Sequence, residues 1–358
     1  MKVRSYWQSI KQSQRPLFLP DIGTYFNQDL NEAKALIDAL ADAGVTTIKG
    51  EILQTADICL EAAQSGNEKF WGHRSGQHVE ENYRALIERK VLPLSTYETL
   101  FDYAKQKGMD VVVSVYDFEG ADFAKRIGCK AIKIASSNIT HQPLIEYIAQ
   151  LGMPMILDTG HSTLEELARA VNWAQDAGLK GDAVDILVEH SPKGPPAPVE
   201  QQNLKLMQTF GQAVGLPYGL SDHHGGEEML YAATAMGAVV LEKGICHDEM
   251  GDEQDGGHAL PVSRVAEVLQ KIHHIADAMG DGVRVLPRQR DKYISRMGLV
   301  AKTDLTAGTA LTLETVHFAF PALGIPAEYW SEVEGQTLQQ AVSAGQVIRW
   351  PDIRFEDA

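Results

Sequence analysis

The chain has 358 residues, of which 44% are hydrophobic, and it carries a formal net charge of −16 at pH 7. This length and composition predict one large domain, or a large one joined to a small one, with a sizeable core. The acidic balance argues against nucleic acid or an anionic membrane surface as the main partner.

The compartment is predicted from the absence of targeting segments and from the cysteines. No apolar run approaches the roughly 20 residues that a membrane-spanning helix needs, and the first segment, MKVRSYWQSIKQSQRP, lacks the apolar centre of a secretory signal. The three cysteines, Cys59, Cys129 and Cys246, lie far apart and in no metal-type spacing, which favours reduced thiols. We therefore expect a cytoplasmic protein with no membrane partner.

Short apolar runs alternate with amphipathic helical stretches from Leu17 to about residue 280. Three of the helical stretches end in glycine, a common helix stop. They are LNEAKALIDALADAG, STYETLFDYAKQKG and STLEELARAVNWAQDAG. Eight near-continuous apolar strands separated by helices predict an α/β fold, a (β/α)8 TIM barrel whose parallel sheet is covered by helices. The expected strands cover residues 17–23, 46–52, 110–116, 131–136, 154–160, 185–190, 218–223 and 239–245.

Three stretches depart from the barrel pattern. The segment 59–90 is longer than a strand-to-helix loop and predicts a lid or an extra hairpin. GDGVRVLPRQRDKYISR contains Gly, Pro and several basic residues, which predicts an interdomain linker. The last part has short alternating strands and predicts a small β-rich module. We place the barrel domain at 1–280, the linker at 281–296 and the small domain at 297–358.

Ionisable residues occupy the carboxyl ends of seven of the eight predicted strands. In a barrel of this kind the chemistry lies at those ends. Charged groups on apolar strands favour a functional pocket, because burying a charge without a partner is costly. The candidates are Asp21, Lys49, Glu51, Tyr116, Lys133, Ser136, Asp158, Glu189, His190, Ser221, Asp222, His223, Glu242 and Lys243.

The two lysines in the centre of strands, Lys49 and Lys133, have two interpretations. They line the pocket and hold an anionic substrate as point charges, or they simply pair with buried acids. His223 follows Ser-Asp at a strand end, which favours a ligand or acid–base role. The alternative for His223 is a core histidine bonded to the backbone.

The loops carry weaker signals. Gly225–Gly226 opens a helix and could bind phosphate through backbone N–H groups, although a bare Gly-Gly pair is unspecific. The segment DEMGDEQDGGH, at 248–258, resembles a calcium loop only superficially, and we expect a solvated loop there. Surface positions are expected for His73, His161 and His224.

The combination and order of several segments resemble the sialic acid synthase family, the PEP-dependent nonulosonic acid synthases, which include the spore-coat polysaccharide synthases. The resemblance covers residues 17–353. The tail GLVAKTDLTAGTALTLETVHFAFPALGIP is similar to the SAF (antifreeze-like) domain of those enzymes. The barrel segments that carry it are LSTYETLFDYAKQKG, IKIASSNITHQPLIEYIAQLGMPMILDTGHSTLEE and GLPYGLSDHHGGEEMLYAATAMGAVVLEKG.

The resemblance implies an activity, a metal and a partner. It implies condensation of PEP with an aldose such as an N-acetylhexosamine, release of phosphate, and a divalent metal, Mn²⁺ or Mg²⁺, that activates the aldehyde. It implies a homodimer in which the SAF domain reaches over the partner's barrel. Matched position by position, it assigns catalytic roles to Asp21, Lys49, Lys133 and His223, and phosphate contacts to Ser136 and Ser221.

The metal site departs from the family pattern. Gly244 stands where the family has its second metal histidine, and Cys246 and His247 follow as candidate substitutes out of register. Strand-end carboxylates add oxygen ligands, which suit Mg²⁺ or Mn²⁺. We therefore predict a one-histidine, oxygen-rich metal site formed by His223, Asp158, Glu189 and Glu242.

The substrate subsites depart as well. Val115 stands in place of a threonine on the PEP carboxylate, Asp158 in place of a serine, Pro192 in place of an asparagine and Phe320 in place of the SAF arginine. Two like charges about 4 Å apart repel by roughly 1 kcal/mol in water and about 4 kcal/mol at an effective dielectric near 20, so Asp158 should weaken phosphate binding. The further substrate contacts that we predict are Tyr116, Asp158, Glu189 and Lys243.

Three functions remain open at this point. The first is a divergent PEP-dependent synthase that makes a nonulosonic acid for polysaccharide biosynthesis. The second is a metal-dependent lyase or isomerase that acts on a sugar or hydroxy acid, favoured by the acids on the later strands. The third is a non-catalytic protein that kept the fold, favoured by the missing histidine and arginine.

Overall fold

The chain divides into two compact units. The computed structural model describes residues 5–23, 25–72, 75–178, 184–192, 194, 196–248, 255–286 and 288–355. The division falls after Gly280, between Met1–Gly280 and Asp281–Ala358. The segment 281–296, which we expected to be a linker, belongs to the second unit and contains a short helix.

Eight parallel strands close into a barrel in the first unit. Their order is β1-β2-β5-β6-β7-β8-β9-β10, and β10 pairs with β1 to complete the ring. All strands of the described chain are β1 Leu17–Asp21, β2 Thr47–Ile52, β3 Asn67–Gly72, β4 Gln77–Asn82, β5 Asp110–Val115, β6 Ala131–Ile134, β7 Met155–Asp158, β8 Ile186–His190, β9 Tyr218–Asp222, β10 Val240–Cys246, β11 Leu260–Pro261, β12 Gly298–Ala301, β13 Val316–Ala319, β14 Thr337–Leu338 and β15 Ile353–Arg354.

Helices follow the barrel strands and cover them, so the predicted (β/α)8 barrel is confirmed. The aliphatic side chains of one strand face pack against these helices in one continuous core. The helices are α1 Tyr6–Gln12, α2 Leu30–Asp42, α3 Ala62–Ser65, α4 Tyr83–Glu88, α5 Leu94–Gln106, α6 Phe118–Arg126, α7 Gln142–Gln150, α8 Leu164–Ala177, α9 Lys205–Val214, α10 Glu228–Ala235, α11 Val265–Met279, α12 Gln289–Ile294 and α13 Trp330–Val333. Within the described ranges, none of them is long and apolar enough to cross a membrane.

Five barrel strands end earlier than predicted, and three of them end at an aspartate. The Oδ1 atoms of Asp21, Asp158 and Asp222 accept hydrogen bonds from the backbone N–H two residues further on, at 2.8, 3.0 and 2.8 Å. This local bond replaces a ladder partner and turns the chain out of the sheet. The strand-end aspartates thus stop the strands as well as supplying carboxylates.

Alternation along each strand separates an inner from an outer set of side chains. On β10, Leu241 and Ile245 pack among the helices, whereas Val240 lies inside the barrel. Glu242, two residues further along the same face as Val240, reaches inward to a buried lysine. The inner face is therefore apolar at the amino ends of the strands and polar at their carboxyl ends.

Helix α1 closes the amino-terminal end of the barrel. The side chain of Trp7 is fully buried and packs with inward-facing residues that include Leu19, Ile156 and Leu187. Its indole Nε1–H donates to the carbonyl of Asp185 at 3.2 Å. One aromatic side chain therefore fills the end of the barrel opposite the polar mouth.

The segment 59–90 forms an extra hairpin. Strands β3 and β4 pair antiparallel with Asn67 opposite Asn82 and Phe70 opposite Val79. Phe70 is buried against Leu86 of α4. This agrees with the hairpin that we expected between the second and third barrel strands.

The second unit is small and built on short antiparallel pairs. Strand β12 pairs with β13, and β14 pairs with β15. Its own core contains Leu299, Val316, Ile325 and Ile348, each almost fully buried. The prediction of a β-rich C-terminal module is confirmed.

We expect Trp7→Ala to lower the free energy of unfolding by about 3–5 kcal/mol, because it leaves a large cavity at the closed end of the barrel. Urea denaturation of full-length protein measures this change. Leu60→Ala is the matched control, since Leu60 is 64% exposed. Equal, small effects of the two substitutions would show that Trp7 is not a core residue.

Candidate functional site

A cavity of about 150 Å³ opens at the carboxyl ends of the barrel strands. Acids, lysines and serines come together there because they occupy inward-facing positions near the carboxyl ends of the strands. They lie on the same strand faces as the apolar residues that pack beside Trp7. The residues that line it include Asp21, Tyr25, Lys49, Glu51, Ser114, Lys133, Ser136, Asp158, Ser221, His223, Glu242, Asp255 and His258.

Lys133 lies at the centre of three carboxylates. Its Nζ is 2.9 Å from Asp158 Oδ2, 2.8 Å from Glu189 Oε2 and 2.6 Å from Glu242 Oε1. It also donates a hydrogen bond to Ser221 Oγ at 3.2 Å. Lys133 therefore pairs with buried acids and also lines the cavity.

Lys49 joins the same network from the neighbouring side. Its Nζ donates a short hydrogen bond to Asp21 and lies 3.5 Å from Glu51 Oε1. It is also 3.5 Å from Glu242 Oε1. Glu242 thus bridges the two lysines, and the network continues from β1 to β10 around the mouth of the barrel.

Five carboxylates face two ammonium groups in this network, a net charge of −3 when all are ionised. Burial by itself would lower the pKa of Lys133, but Asp158, Glu189 and Glu242 raise it well above its usual value. Burial likewise opposes ionisation of Glu242, yet Lys133 and Lys49 lower its pKa to about 2. Both lysines and Glu242 are therefore charged at neutral pH.

Two other acids retain protons to higher pH. Burial raises the pKa of Glu189 to about 8, with Glu242 and Asp158 adding to the effect and Lys133 opposing it. Burial raises the pKa of Asp21 to about 7, against the opposing charge of Lys49. The network therefore lowers its negative charge near neutral pH by holding protons on these two acids.

Several buried oxygens in the cavity lack a hydrogen-bond donor. Among the described residues, neither carboxylate oxygen of Glu189 accepts a well-formed hydrogen bond, although Oε2 forms the ion pair with Lys133. Glu242 Oε2 and Ser114 Oγ are also without a partner in the described chain. Because Glu242 and Ser114 line the cavity, these two oxygens are free to contact a small polar molecule there.

The four predicted metal ligands do not converge on one point. Three of them, Asp158, Glu189 and Glu242, surround the ammonium of Lys133. Their oxygens already have a cation as partner, which the sequence could not show. Across the part of the chain that the structure describes, no three His, Cys, Asp or Glu side chains are grouped as a metal site.

His223 contacts a different partner. Its ring lies against that of His258, with centroids 4.9 Å apart, and its Nδ1 is 3.1 Å from the carbonyl of Pro192. His258 is 4% exposed, so our expectation of a solvated loop is wrong at the end of 248–258; residues 249–254 lie outside the described residues. The sequence signal for His258 is weak, since no periodicity marks it.

Neither proposed substitute for a histidine at Gly244 is among the described residues that line the cavity. Cys246 is buried on β10, and His247 Nε2 is 3.0 Å from the carbonyl of Glu32 in α2. A Cβ added at Gly244 would lie 2.3 Å from Tyr25 Oη and 3.3 Å from His258 Nε2. Tyr25 and His258, which sequence reasoning missed, therefore fill the space that a side chain at Gly244 would need.

Lys243, which we predicted as a substrate contact, lines the cavity and also holds the loop after β9. Its side chain is fully buried, forms an ion pair with Asp222 at 2.9 Å and donates to the carbonyl of Gly226 at 3.0 Å. A third, short bond goes to the carbonyl of His224. Burial lowers the pKa of this lysine. Its ammonium is engaged in holding the turn between β9 and α10.

Three further candidates differ in how they relate to the cavity. Tyr116 lines a neighbouring cavity together with Asn138 and His141, instead of the one that contains the lysines. His190 faces the helices, and its Nε2 lies 2.8 Å from the carbonyl of Gln202. Ser136 is exposed at the rim of the lysine cavity, where it forms part of the lining as expected.

We expect Lys133→Met to lower the free energy of unfolding by about 3–5 kcal/mol at pH 8, because it leaves Asp158 and Glu189 without their cation and Glu242 with Lys49 alone. Adding Glu189→Gln should recover part of this loss, since it removes one of the repelling charges. Urea denaturation measures both, with the surface substitution Lys130→Met as the control for loss of a lysine. A double variant no more stable than Lys133→Met would contradict the three-acid arrangement.

The raised pKa of Glu189 predicts how stability depends on pH. The folded state keeps a proton on Glu189 up to about pH 8, whereas the unfolded chain releases it near 4.5. Glu189 therefore contributes stability below about pH 4.5 that is lost as the pH rises to 8, with a slope of at most about 1.4 kcal/mol per pH unit. We expect Glu189→Gln to flatten the decline between pH 5 and 8 in urea denaturation, and the exposed Glu165→Gln to leave it unchanged. Parallel curves for native protein and Glu189→Gln would refute this.

The comparison with family models covers both units. The NeuB family model matches residues 36–284, and the SAF domain model matches residues 296–354. The first match spans most of the barrel, including all of the strand ends from β2 to β10. The second spans nearly all of the small β-rich unit.

Curated relatives align along almost their whole length. The chain is 29% identical over 337 residues to an N,N'-diacetyllegionaminic acid synthase of Campylobacter jejuni, covering 94% of this chain and 99% of that protein. It is 26% identical over 349 residues to a pseudaminic acid synthase of Helicobacter pylori, covering 95% and 98%.

Solved structures share the fold. A spore coat polysaccharide biosynthesis protein SpsE of Bacillus subtilis superposes with a TM-score of 0.62 at 22% identity, covering 96% of each chain. An N-acetylneuraminic acid synthetase of Leptospira borgpetersenii, solved with citrate, gives a TM-score of 0.66 at 22% identity, covering 78% of this chain and 90% of that one. Because the family model matches well over half of its residues, the chain belongs to the NeuB family.

Proposed function

We propose that this chain condenses PEP with the aldehyde of an aldose to form a nonulosonic acid of the sialic type, for polysaccharide biosynthesis. The observation that carries the proposal is the pair Lys49 and Lys133, held together by Glu242 at the mouth of a NeuB-family barrel. Relatives named as synthases of legionaminic and pseudaminic acid support the same reaction class.

The reaction requires one new carbon–carbon bond and one broken carbon–oxygen bond. C3 of PEP adds to the aldehyde carbon, and the aldehyde oxygen takes up a proton. Water then adds at C2, the bond from C2 to the bridging phosphate oxygen breaks, and inorganic phosphate leaves. The product is a 2-keto acid lengthened by three carbons.

The cavity holds an acid suited to the proton step. Asp21 lies at the end of β1, bonded to Lys49, and burial raises its pKa to about 7. A general acid works best when its pKa is near the operating pH. We assign to Asp21 the proton that the aldehyde oxygen requires.

An anionic substrate must enter a cavity that is already negative. Protons on Glu189 and Asp21 reduce the network from −3 to −1, which lowers the repulsion toward a carboxylate and a phosphate. The substrate carboxylate then replaces one acid beside Lys133 or Lys49. PEP binding is therefore coupled to proton uptake.

Ser136 and Ser221 are the proposed phosphate contacts. Both hydroxyls line the cavity, and Ser221 donates to Glu242 at 3.1 Å. Gly160, with φ of 39°, passes so close to Ser136 that an added Cβ would lie 2.2 Å from the serine Cβ. The turn after β7 therefore holds Ser136 at the rim.

A divalent metal such as Mn²⁺ or Mg²⁺ would act as a Lewis acid on the aldehyde oxygen. The imidazole of His223, with one nitrogen beside a backbone carbonyl, has the chemistry of a metal-ligating histidine. Two further parts of the proposal are a homodimer, which comes from the family resemblance, and a cytoplasmic location, which is supported by three unpaired cysteines.

A second candidate is a metal-dependent lyase or isomerase that acts on a sugar or hydroxy acid, and the acidity of the cavity favours a neutral sugar as its substrate. Five carboxylates exceed what two lysines neutralise, and a neutral substrate would enter without the repulsion described above. The retained lysine pair argues for the synthase, because neutral substrates do not require two ammonium groups.

The test is turnover with defined substrates. With Mn²⁺, PEP and a panel of N-acetylated, amino and neutral aldoses, we expect phosphate release only when both substrates are present. The matching product should have the combined mass of both substrates plus water, less phosphoric acid. The ratio kcat/KM for PEP should fall as the pH rises from 6.5 to 8.5, because Asp21 and Glu189 lose their protons. Ser136→Ala should raise KM for PEP, and the neighbouring Ser137→Ala should not.

Three outcomes decide against the synthase. Conversion of a sugar without consumption of PEP would establish the lyase or isomerase. No turnover, together with no thermal shift from PEP, would establish the non-catalytic alternative. A rise of kcat/KM for PEP with pH would reject the proton-coupled binding.

A further inference from the structure

The inner face of β10 lacks a side chain at Gly244. Gly244 follows Glu242 on that face, so a side chain there would enter the cavity. The added Cβ would meet Tyr25 Oη at 2.3 Å and His258 Nε2 at 3.3 Å. Glycine at this position therefore allows two side chains from other parts of the chain to fill the same space.

His258 reaches this place from the 3-10 turn Gly256–His258, which follows β10. It is 4% exposed, and its Nε2 lies 3.3 Å from Tyr25 Oη. Its Nδ1 is buried and has no hydrogen-bond partner within the described ranges. A buried nitrogen without a partner loses its hydration, so such an atom usually has a ligand or an ion to contact.

His223 presents a complementary nitrogen. Its Nδ1 is 3.1 Å from the carbonyl of Pro192, which can only accept, so Nδ1 carries the hydrogen and Nε2 has the lone pair. Histidines that bind metals commonly donate their other N–H to a backbone carbonyl in this way. The backbone at Pro192 thus sets the tautomer that a metal requires.

The two rings lie together in the polar cavity. Their centroids are 4.9 Å apart and their planes are inclined by 60°. Both imidazoles are among the side chains that line this cavity.

We infer that His223 and His258 together form a divalent-cation site, in which His258 takes the place of the side chain that Gly244 lacks. The cation is of the class that imidazole binds, such as Mn²⁺, Co²⁺ or Zn²⁺. Two protein ligands leave several coordination positions for water or substrate oxygens, which is typical of a catalytic site and not of a closed structural one. The use of this ion in turnover rests on the proposed function, whereas its binding does not.

The competing interpretation is a buried histidine that serves only to bond Tyr25. It predicts that removal of the imidazole changes stability and leaves metal affinity unchanged. Tyr25→Phe separates the two, because it removes the hydroxyl and keeps both histidines. We expect Tyr25→Phe to retain metal binding within a few-fold.

The experiment measures metal binding without substrate. Full-length protein freed of metal with a chelator is titrated with Mn²⁺, and free Mn²⁺ is followed by electron paramagnetic resonance. We expect one site in the native protein, and a loss of affinity in His223→Gln and His258→Gln beyond the roughly 10–100-fold typical of outer-shell substitutions. His274→Gln, at an exposed position on α11, is the matched control and should bind as the native protein does.

Circular dichroism and thermal unfolding establish that each variant is folded before titration. Native affinity in a folded His258→Gln would overturn the inference, and so would the absence of stoichiometric binding of both Mn²⁺ and Co²⁺ to the native protein. If the metal binds as expected and PEP is not consumed, the proposed function fails and the metal site stands. If PEP is consumed equally by metal-free protein, the site has no part in that reaction.

Discussion

The ion-pair network around Lys133 is the constraint on which the rest of the site depends. A lysine that is 4% exposed on its side chain keeps its charge only because three carboxylates lie within 3 Å of Nζ. Each of those acids is buried as well, and its ionised form would be unfavourable without the ammonium group. Lys133 lies on β6 and the three acids on β7, β8 and β10, so these ion pairs link half of the barrel strands. A one-residue slip in any of these strands would move a charge into the aliphatic layer under the helices, which makes the register specific.

The same network explains which parts of the molecule could be predicted from the sequence. Strand periodicity, helix stops and the position of each charged residue along its strand predicted the barrel and its polar mouth, because these are local properties. The partner of each charge could not be predicted, because Glu242 and Lys133 are 109 residues apart. We therefore assigned Asp158, Glu189 and Glu242 to a metal, whereas they surround an ammonium. Three of the strand ends were misplaced for a local reason, since the aspartate that carries the charge also turns the chain.

A lysine that is already paired can still contribute to substrate binding. Under the proposed function, an incoming carboxylate exchanges for a protein carboxylate beside the ammonium, so the net gain in binding free energy depends on how readily the displaced acid becomes neutral. Burial raises the pKa of Glu189 to about 8, whereas the pKa of Glu242 is lowered to about 2. Glu189 is therefore the acid whose charge is removed most easily, and Glu242 the one that stays ionised between the two lysines. This division assigns an exchangeable role to β8 and a permanent one to β10.

The histidine pair shows that the side chains at a barrel mouth can come from different positions in the chain, whereas the strand residues of the barrel cannot. Strand residues must keep their register, and a glycine on the inner face of β10 removes a side chain that no neighbouring strand position can replace. The turns after the strands have no such register, and the turn at 256–258 brings His258 to within 3.3 Å of the vacated position. Tyr25, from the segment that follows β1, occupies the rest of the space and bonds the histidine. The absence of a ligand from a strand therefore does not establish the absence of the site, because a loop side chain can occupy the same volume when the strand residue is glycine.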